Sequence, residues 1–184
     1  MGTATPHQEV ALIVGMLSAF PEVFQRLEAI LSERFGKIAR ASAVLPFDYT
    51  RYYEPEMGAN LRRKFLSFER HLHPEEIAAI KLWTNALEEQ FAAQGFPAPR
   101  PINLDPGYVT LSKLVLATTK DHAHRIYIGQ GIFAEVTLGF TGGAFQPMPW
   151  SYPDYRTDAY REFFSAVRAD LLARRRGSRA GEAG

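Results

Sequence analysis

The chain has 184 residues, 46% hydrophobic, 22% charged and 12% aromatic, a balance that excludes a disordered, collagen-like or largely coiled-coil protein. It has no cysteine, which excludes a disulfide framework, Cys-ligated zinc and a thiol nucleophile. The formal net charge is +1, but residues 174–184 hold Arg174, Arg175, Arg176 and Arg179 against Glu182 alone, which leaves a body of 17 basic and 19 acidic residues.

Residues 1–9 read as a flexible N-terminus without a basic n-region. The apolar stretch 10–20 is too short to span a bilayer, so the chain reads as cytoplasmic, with no membrane partner. Residues 10–14 are a continuous apolar run closed by Gly15, which suits a buried strand; 16–19 read as a loop. Pro21 fits a helix start and Gly36 a helix end, with Val23, Phe24, Leu27, Ile30 and Leu31 at helical spacing between them. Residues 38–47 read as a second strand, 48–58 as a loop and 64–70 as an alternating strand. Pro74, Glu75 and Glu76 open a helix that runs to about Gln94.

Residues 102–104 read as a short strand entering the turn Asp105-Pro106-Gly107. Leu111, Leu114 and Val115 favour a short helix over 111–117. Residues 125–128 and 132–138 flank Gly129-Gln130-Gly131, a three-residue hairpin loop. In that register Arg125 faces Glu135 and Tyr127 faces Phe133, while His124, Ile126 and Ile128 face Val136, Ala134 and Ile132. With the turn at 141–144 this predicts a three-stranded meander over 124–147. Thr157 or Asp158 caps a last helix carrying Phe163, Phe164, Val167, Leu171 and Leu172, and 174–184 reads as a disordered Arg-rich tail. The pattern predicts one α+β domain over 10–173: a mixed or antiparallel sheet with helices on one face, ferredoxin-like topology being one solution.

Gly15 between strand and helix has the setting of a phosphate-binding turn, but neither G-x-G-x-x-G nor the P-loop pattern follows it. His122 and His124 form an H-x-H that Asp105, Asp121 or Glu135 could complete as a metal site; the stronger reading is a core or loop histidine, and no metal is assigned. Arg125 opposite Glu135 is by default a cross-strand ion pair; in a cleft it becomes an orienter for an anion, with Tyr127 and Phe133 as a stacking floor. Lys113 and Lys120 would share a face if helix joined them. The loops 48–56 and 150–156 hold Tyr49, Tyr52, Tyr53, Tyr152 and Tyr155 among acids and arginines, a composition that suits either recognition or lids on the core.

Several ordered stretches carry a resemblance: Val14-Gly-Met-Leu-Ser18, Pro46-Phe-Asp-Tyr49, Lys64-Phe-Leu-Ser-Phe-Glu69, Asn103-Leu-Asp-Pro-Gly-Tyr108, Lys113-Leu-Val-Leu-Ala-Thr-Thr-Lys-Asp121, Gly131-Ile-Phe-Ala-Glu-Val-Thr-Leu138 and Pro149-Trp-Ser-Tyr-Pro-Asp-Tyr-Arg156. Over residues 10–170 the chain resembles an uncharacterised bacterial domain-of-unknown-function family, some members of which carry the label "GTP-binding protein". The motifs behind such a label are missing: there is no P-loop, Asp105-Pro-Gly places its glycine one residue early for D-x-x-G, and Thr119-Lys-Asp121 places its aspartate one residue early for N/T-K-x-D.

The sequence therefore predicts a binder of, or enzyme for, a small anionic ligand, a nucleotide being one case, with its site on the late meander. Lys113, Lys120, Arg125, Tyr127, Tyr52, Tyr155 and Arg156 would hold the ligand, and Asp105, His124 and Glu135 would do acid–base work. The alternative is a non-catalytic protein–protein or regulatory module using the tyrosine loops. Nucleic acid enters only through the Arg tail. Cofactor and oligomeric state are left open.

Overall fold

The computed structural model describes residues 2–182, with side chains described as far as Gly177. Its strands are β1 (Val10–Ser18), β2 (Ile38–Ala41), β3 (Leu45–Pro46), β4 (Arg62–Leu72), β5 (Asn103–Val109), β6 (Lys113–Thr118), β7 (Ile126–Gly129), β8 (Ile132–Thr141) and β9 (Ala144–Pro147). The helices are α1 (Glu22–Phe35), a single turn α2 (Glu54–Met57), α3 (Ile77–Ala92) and α4 (Asp158–Glu182). All nine strands join one sheet in the order β2-β4-β1-β5-β6-β8-β7, with β3 on β4 and β9 on β8, and every pairing is antiparallel.

The segment β1-α1-β2-β4-α3-β5, with strand order β2-β4-β1-β5, has ferredoxin-like connectivity. The remaining strands extend that unit beyond β5. Val23, Phe24, Leu27 and Leu31 of α1 and Ile77, Leu87 and Phe91 of α3 bury one face, against Leu12, Val14, Leu66 and Phe68. Tyr160, Phe164 and Val167 of α4 cover the other, against Ile13, Phe65, Leu114 and Leu138. The helices thus lie on both faces rather than one, because the alternating strands are apolar on both sides.

Several local expectations give way to the sheet. The run expected to stop at Gly15 continues to Ser18, because β4 and β5 pair with β1 along its length. A Cβ on Gly15 would lie 3.0 Å from Phe65 Cε1 and 3.3 Å from an Arg63 terminal nitrogen, so this glycine makes room for side chains and forms no phosphate turn. The expected turn Asp105-Pro106-Gly107 lies inside β5, and 111–117 belongs to a strand rather than a helix. At Gly107 a Cβ would collide with the backbone carbonyl oxygen of Val115 on β6. Gly107→Ala is expected to destabilise the domain by about 1–3 kcal/mol, read as a lower midpoint in urea unfolding; an unchanged midpoint would mean that β6 can move aside freely.

The expected meander is also rearranged. β6 occupies one edge of β8 from Phe133 to Gly139, so β7 and β9 share the other edge end to end. The pairs Ile126–Ala134 and Tyr127–Phe133 occur as predicted, but Gly129 rather than Ile128 meets Ile132. Of residues 174–184, expected to be disordered, 174–182 continue α4, whose run Leu171-Leu-Ala-Arg-Arg-Arg176 favours helix, and 183–184 lie outside the described residues. Arg174 donates to the Glu69 carbonyl at 2.8 Å and Arg175 to the Glu9 carbonyl at 2.7 Å. Among the described residues no helix is long and apolar enough to cross a membrane.

Candidate functional site

Period-2 alternation aims Arg63, Phe65 and Ser67 of β4 at the α4 face. Arg63 is only 3% exposed. Its guanidinium lies 5.2 Å from the Phe47 ring centre and 5.8 Å from that of Phe65, and it donates to Asp105 Oδ2 at 2.6 Å. Its other terminal nitrogen stands 3.8 Å from Asp154 Oδ2. Asn103, two residues before Asp105 and on the same face, donates its amide to that same Oδ2 at 2.9 Å. Arg100 in turn donates to the Asn103 side-chain oxygen and, at 3.0 Å, to Glu88.

These contacts set two carboxyls apart. Burial works to raise the Asp105 carboxyl, but Arg63 and Lys81 outweigh it and hold the group below the ordinary aspartate value. Burial wins at Asp154, which is raised despite Arg63. Asp105 is accordingly the ionised acceptor. Both of its donors reach Oδ2, and among the described residues none reaches Oδ1; the side chain is 28% exposed.

A second network lies across the same sheet face. Glu135 of β8 pairs with Leu116 of β6 and is buried. Its Oε2 accepts from Arg125 Nε at 2.8 Å and faces His124 Nε2 at 3.0 Å, while Oε1 accepts from the Thr137 hydroxyl at 3.1 Å. His124 stacks on the Trp150 ring at 5.2 Å, and the Trp150 indole donates to the Val136 carbonyl at 2.9 Å.

The two tyrosine loops join these networks. Arg125 donates to the Lys120 carbonyl at 3.0 Å and to the Tyr152 hydroxyl at 3.3 Å. Lys120 Nζ donates to the Tyr52 hydroxyl at 3.3 Å and lies 5.1 Å from that ring's centre. Tyr52 packs edge-on to Tyr53 at 5.1 Å. Burial and then the charge on Asp105 push the Tyr53 phenol up to about 12, and it also feels Tyr152. Contacts thus run in an open ring from Tyr152 through Arg125, Lys120, Tyr52, Tyr53, Phe47 and Arg63 to Asp105. Thr118 ends β6 two residues beyond Leu116, the partner of Gly107, and so lies on the sheet face that Asp105 shares.

Not every residue expected at the site is there. Lys113 begins β6 at its far end, about 17 Å of strand from Thr118, because the segment is extended rather than helical. Tyr155 is buried against Phe65, Tyr160 and Phe164, where packing with α4 claims the ring. Arg156 clamps its own loop, donating to the carbonyls of Ser151, Met148 and Pro149. Tyr127 is exposed on β7, where its hydroxyl accepts from the Gly131 amide at 3.3 Å. Glu135 lies beneath the surface and acts through Arg125 and His124. His122 stacks on His124 at 5.9 Å, and no group of three or more His, Asp or Glu able to hold a metal occurs among the described residues. The sequence reading missed Arg63, Asn103, Arg100 and Asp154. Starting the alternating strand at 62 instead of 64 would have placed Arg63 on the same face as Phe65.

A family model described as a domain of unknown function, DUF4416, matches residues 8–171. The chain belongs to that family. The match takes in every residue of the ring, so the site lies within the DUF4416 domain itself. No curated protein and no solved structure matches the chain.

Proposed function

We propose that this DUF4416 domain binds a small anionic ligand at the ring between the two tyrosine loops. The observation that carries the reading is the setting of Lys120: among the described residues its ammonium meets the Tyr52 hydroxyl and ring and pairs with no carboxylate. Arg125 behind it, its side chain buried, holds the Tyr152 hydroxyl beside the ammonium and adds positive charge at short range. A phosphate or carboxylate gains charge-assisted hydrogen bonds there without displacing an existing counter-ion. His124, held by buried Glu135, supplies an oriented acid–base group if the ligand is a substrate.

The test is calorimetric titration of the full chain with n-propyl phosphate, comparing wild type with Lys120→Met. Loss of the ammonium is expected to weaken binding about tenfold or more, with the melting temperature unchanged because Lys120 is exposed. Equal affinity in the two proteins would refute the reading. The alternative, a docking surface for another protein, draws on the exposure of Tyr52 (66%) and Tyr152 (48%). It predicts that Tyr52→Ser abolishes capture of a stoichiometric partner and that phosphate esters do not bind.

A further inference from the structure

We infer that the ligand of this ring is a hydroxylated anion of the sugar- or polyol-phosphate class, and that Asp105 is the residue that selects it by accepting a hydrogen bond from a ligand hydroxyl. The inference rests on the anion-site reading and adds the chemistry of the ligand's other end.

Asp105 is built as an acceptor for a group from outside the protein. One oxygen, Oδ2, is saturated by Arg63 and Asn103; the other, Oδ1, has no donor among the described residues, on a side chain that remains partly exposed. Gly15 opposite Asp105 on β1 leaves the space in which Arg63 holds the carboxylate from behind. The rotamer is therefore fixed before any ligand arrives, which spares the ordering cost of an exposed aspartate.

The electrostatic surroundings decide which donor fits. Arg63 bonds Asp105 directly, Lys81 holds its Nζ 2.7 Å from the carbonyl of the preceding Leu104, and Arg100 reaches the carboxylate through Asn103. Arg63 already gives the carboxylate its counter-ion, while Arg100 is shared with Glu88 and Glu56, so Oδ1 needs a hydrogen-bond donor rather than a further positive charge. A neutral hydroxyl supplies that donor at the smallest desolvation cost. Lys120 follows Thr118, the end of the strand that neighbours the one carrying Asp105, by two positions, about 6–7 Å of chain. The anion and the hydroxyl accordingly belong to one small molecule a few carbons long. The exposed rings of Tyr52 and Tyr152 on either side offer faces for its C–H groups.

The test compares two probes that share a three-carbon chain and a phosphate: glycerol 3-phosphate, with two hydroxyls, and n-propyl phosphate, with none. Calorimetry on the full chain is expected to show glycerol 3-phosphate binding about tenfold tighter, the worth of one hydrogen bond to a charged acceptor. In Asp105→Asn, where the amide oxygen can still face Arg63 while an N–H replaces Oδ1, only a neutral hydrogen bond to the ligand hydroxyl remains, so the preference should fall several-fold, and n-propyl phosphate should bind no more weakly than to wild type. Equal affinities for the two probes in wild type would overturn the selection by Asp105 and leave the anion site standing, and this ratio needs no variant to fold. A preference undiminished in Asp105→Asn, in a protein of native circular dichroism, would overturn it as well. If neither ester binds, or if Lys120→Met binds both as wild type does, the anion-site reading fails and this inference with it.

Discussion

Arg63→Met is expected to destabilise the domain by about 3–5 kcal/mol at pH 7, the usual result of removing one partner from a buried ion pair. The methionine stem fills much of the space between Phe47 and Phe65, so the loss comes from charge rather than from a cavity. It leaves Asp105 without its principal counter-ion and Asp154 without the guanidinium that opposes the effect of burial. The pH dependence separates this cause from a packing defect. In wild type Asp105 sits below its ordinary value of 3.8, so its contribution is fully present above that value and is lost as the pH falls through the folded pKa. Once Arg63 is gone, burial dominates at both carboxyls and their folded pKa values rise, so protonation stabilises the folded state. The penalty of Arg63→Met should therefore shrink between pH 7 and pH 4. A constant penalty in urea unfolding across that range would show that the side chain acts by shape. Adding Asp105→Asn to Arg63→Met should recover part of the loss, because the unpaired charge goes with it.

The same cluster shows which features were legible in the sequence. The α1 and α3 stripes and the 125–138 hairpin declared themselves through short-range periodicity, down to the pairing of Tyr127 with Phe133, although Gly129 joins the ladder and a bulge takes up the difference. What failed was local chemistry overruled by neighbours distant in sequence. Asp105-Pro106-Gly107 carries the composition of a turn, yet β1 pairs with all three residues and β6 approaches so closely at Gly107 that only glycine fits. Gly15 looked like a strand end because a strand seldom needs a glycine; the need comes from Arg63 and Phe65 on β4, about fifty residues away. The same blindness hid the site's foundation. Asp105, Lys120, Arg125 and Glu135 were legible as reactive types within one stretch. That Asp105 is ionised, and fixed with one oxygen outward, depends on Arg63 and Asn103, which only the sheet order places beside it.

The ferredoxin-like unit and its extension meet between β5 and β6, and the ring straddles that seam. Asp105 and its supports belong to the first, and Lys120, Arg125 and Tyr152 to the second. Movement of β6 or of the Tyr152 loop would carry Lys120 and Tyr152 away from Asp105, so what fixes the second half matters as much as what fixes Asp105.

Glu135 is that fixture, and Glu135→Leu is expected to cost about 3–5 kcal/mol. Both Glu135 and Arg125 have side chains under 5% exposed, so little of the pair is screened by solvent. Leucine leaves the Arg125 guanidinium buried with its Nε unpaired and removes the acceptor that faces His124 and Thr137. The consequence for the ring is specific: Arg125 ties the Lys120 carbonyl to the Tyr152 hydroxyl, and His124 stacks on Trp150. In proton NMR the Trp150 indole N–H, bonded to the Val136 carbonyl, should shift, while that of Trp83, packed on Phe35 across the sheet, should not. The double variant Glu135→Leu/Arg125→Met should recover most of the stability, since it removes both charges, but none of the phosphate-ester binding, since the ring has lost its tie. Full binding in a stable double variant would mean that Lys120 and Asp105 are held by the backbone alone and that the Glu135–Arg125 pair serves only the fold.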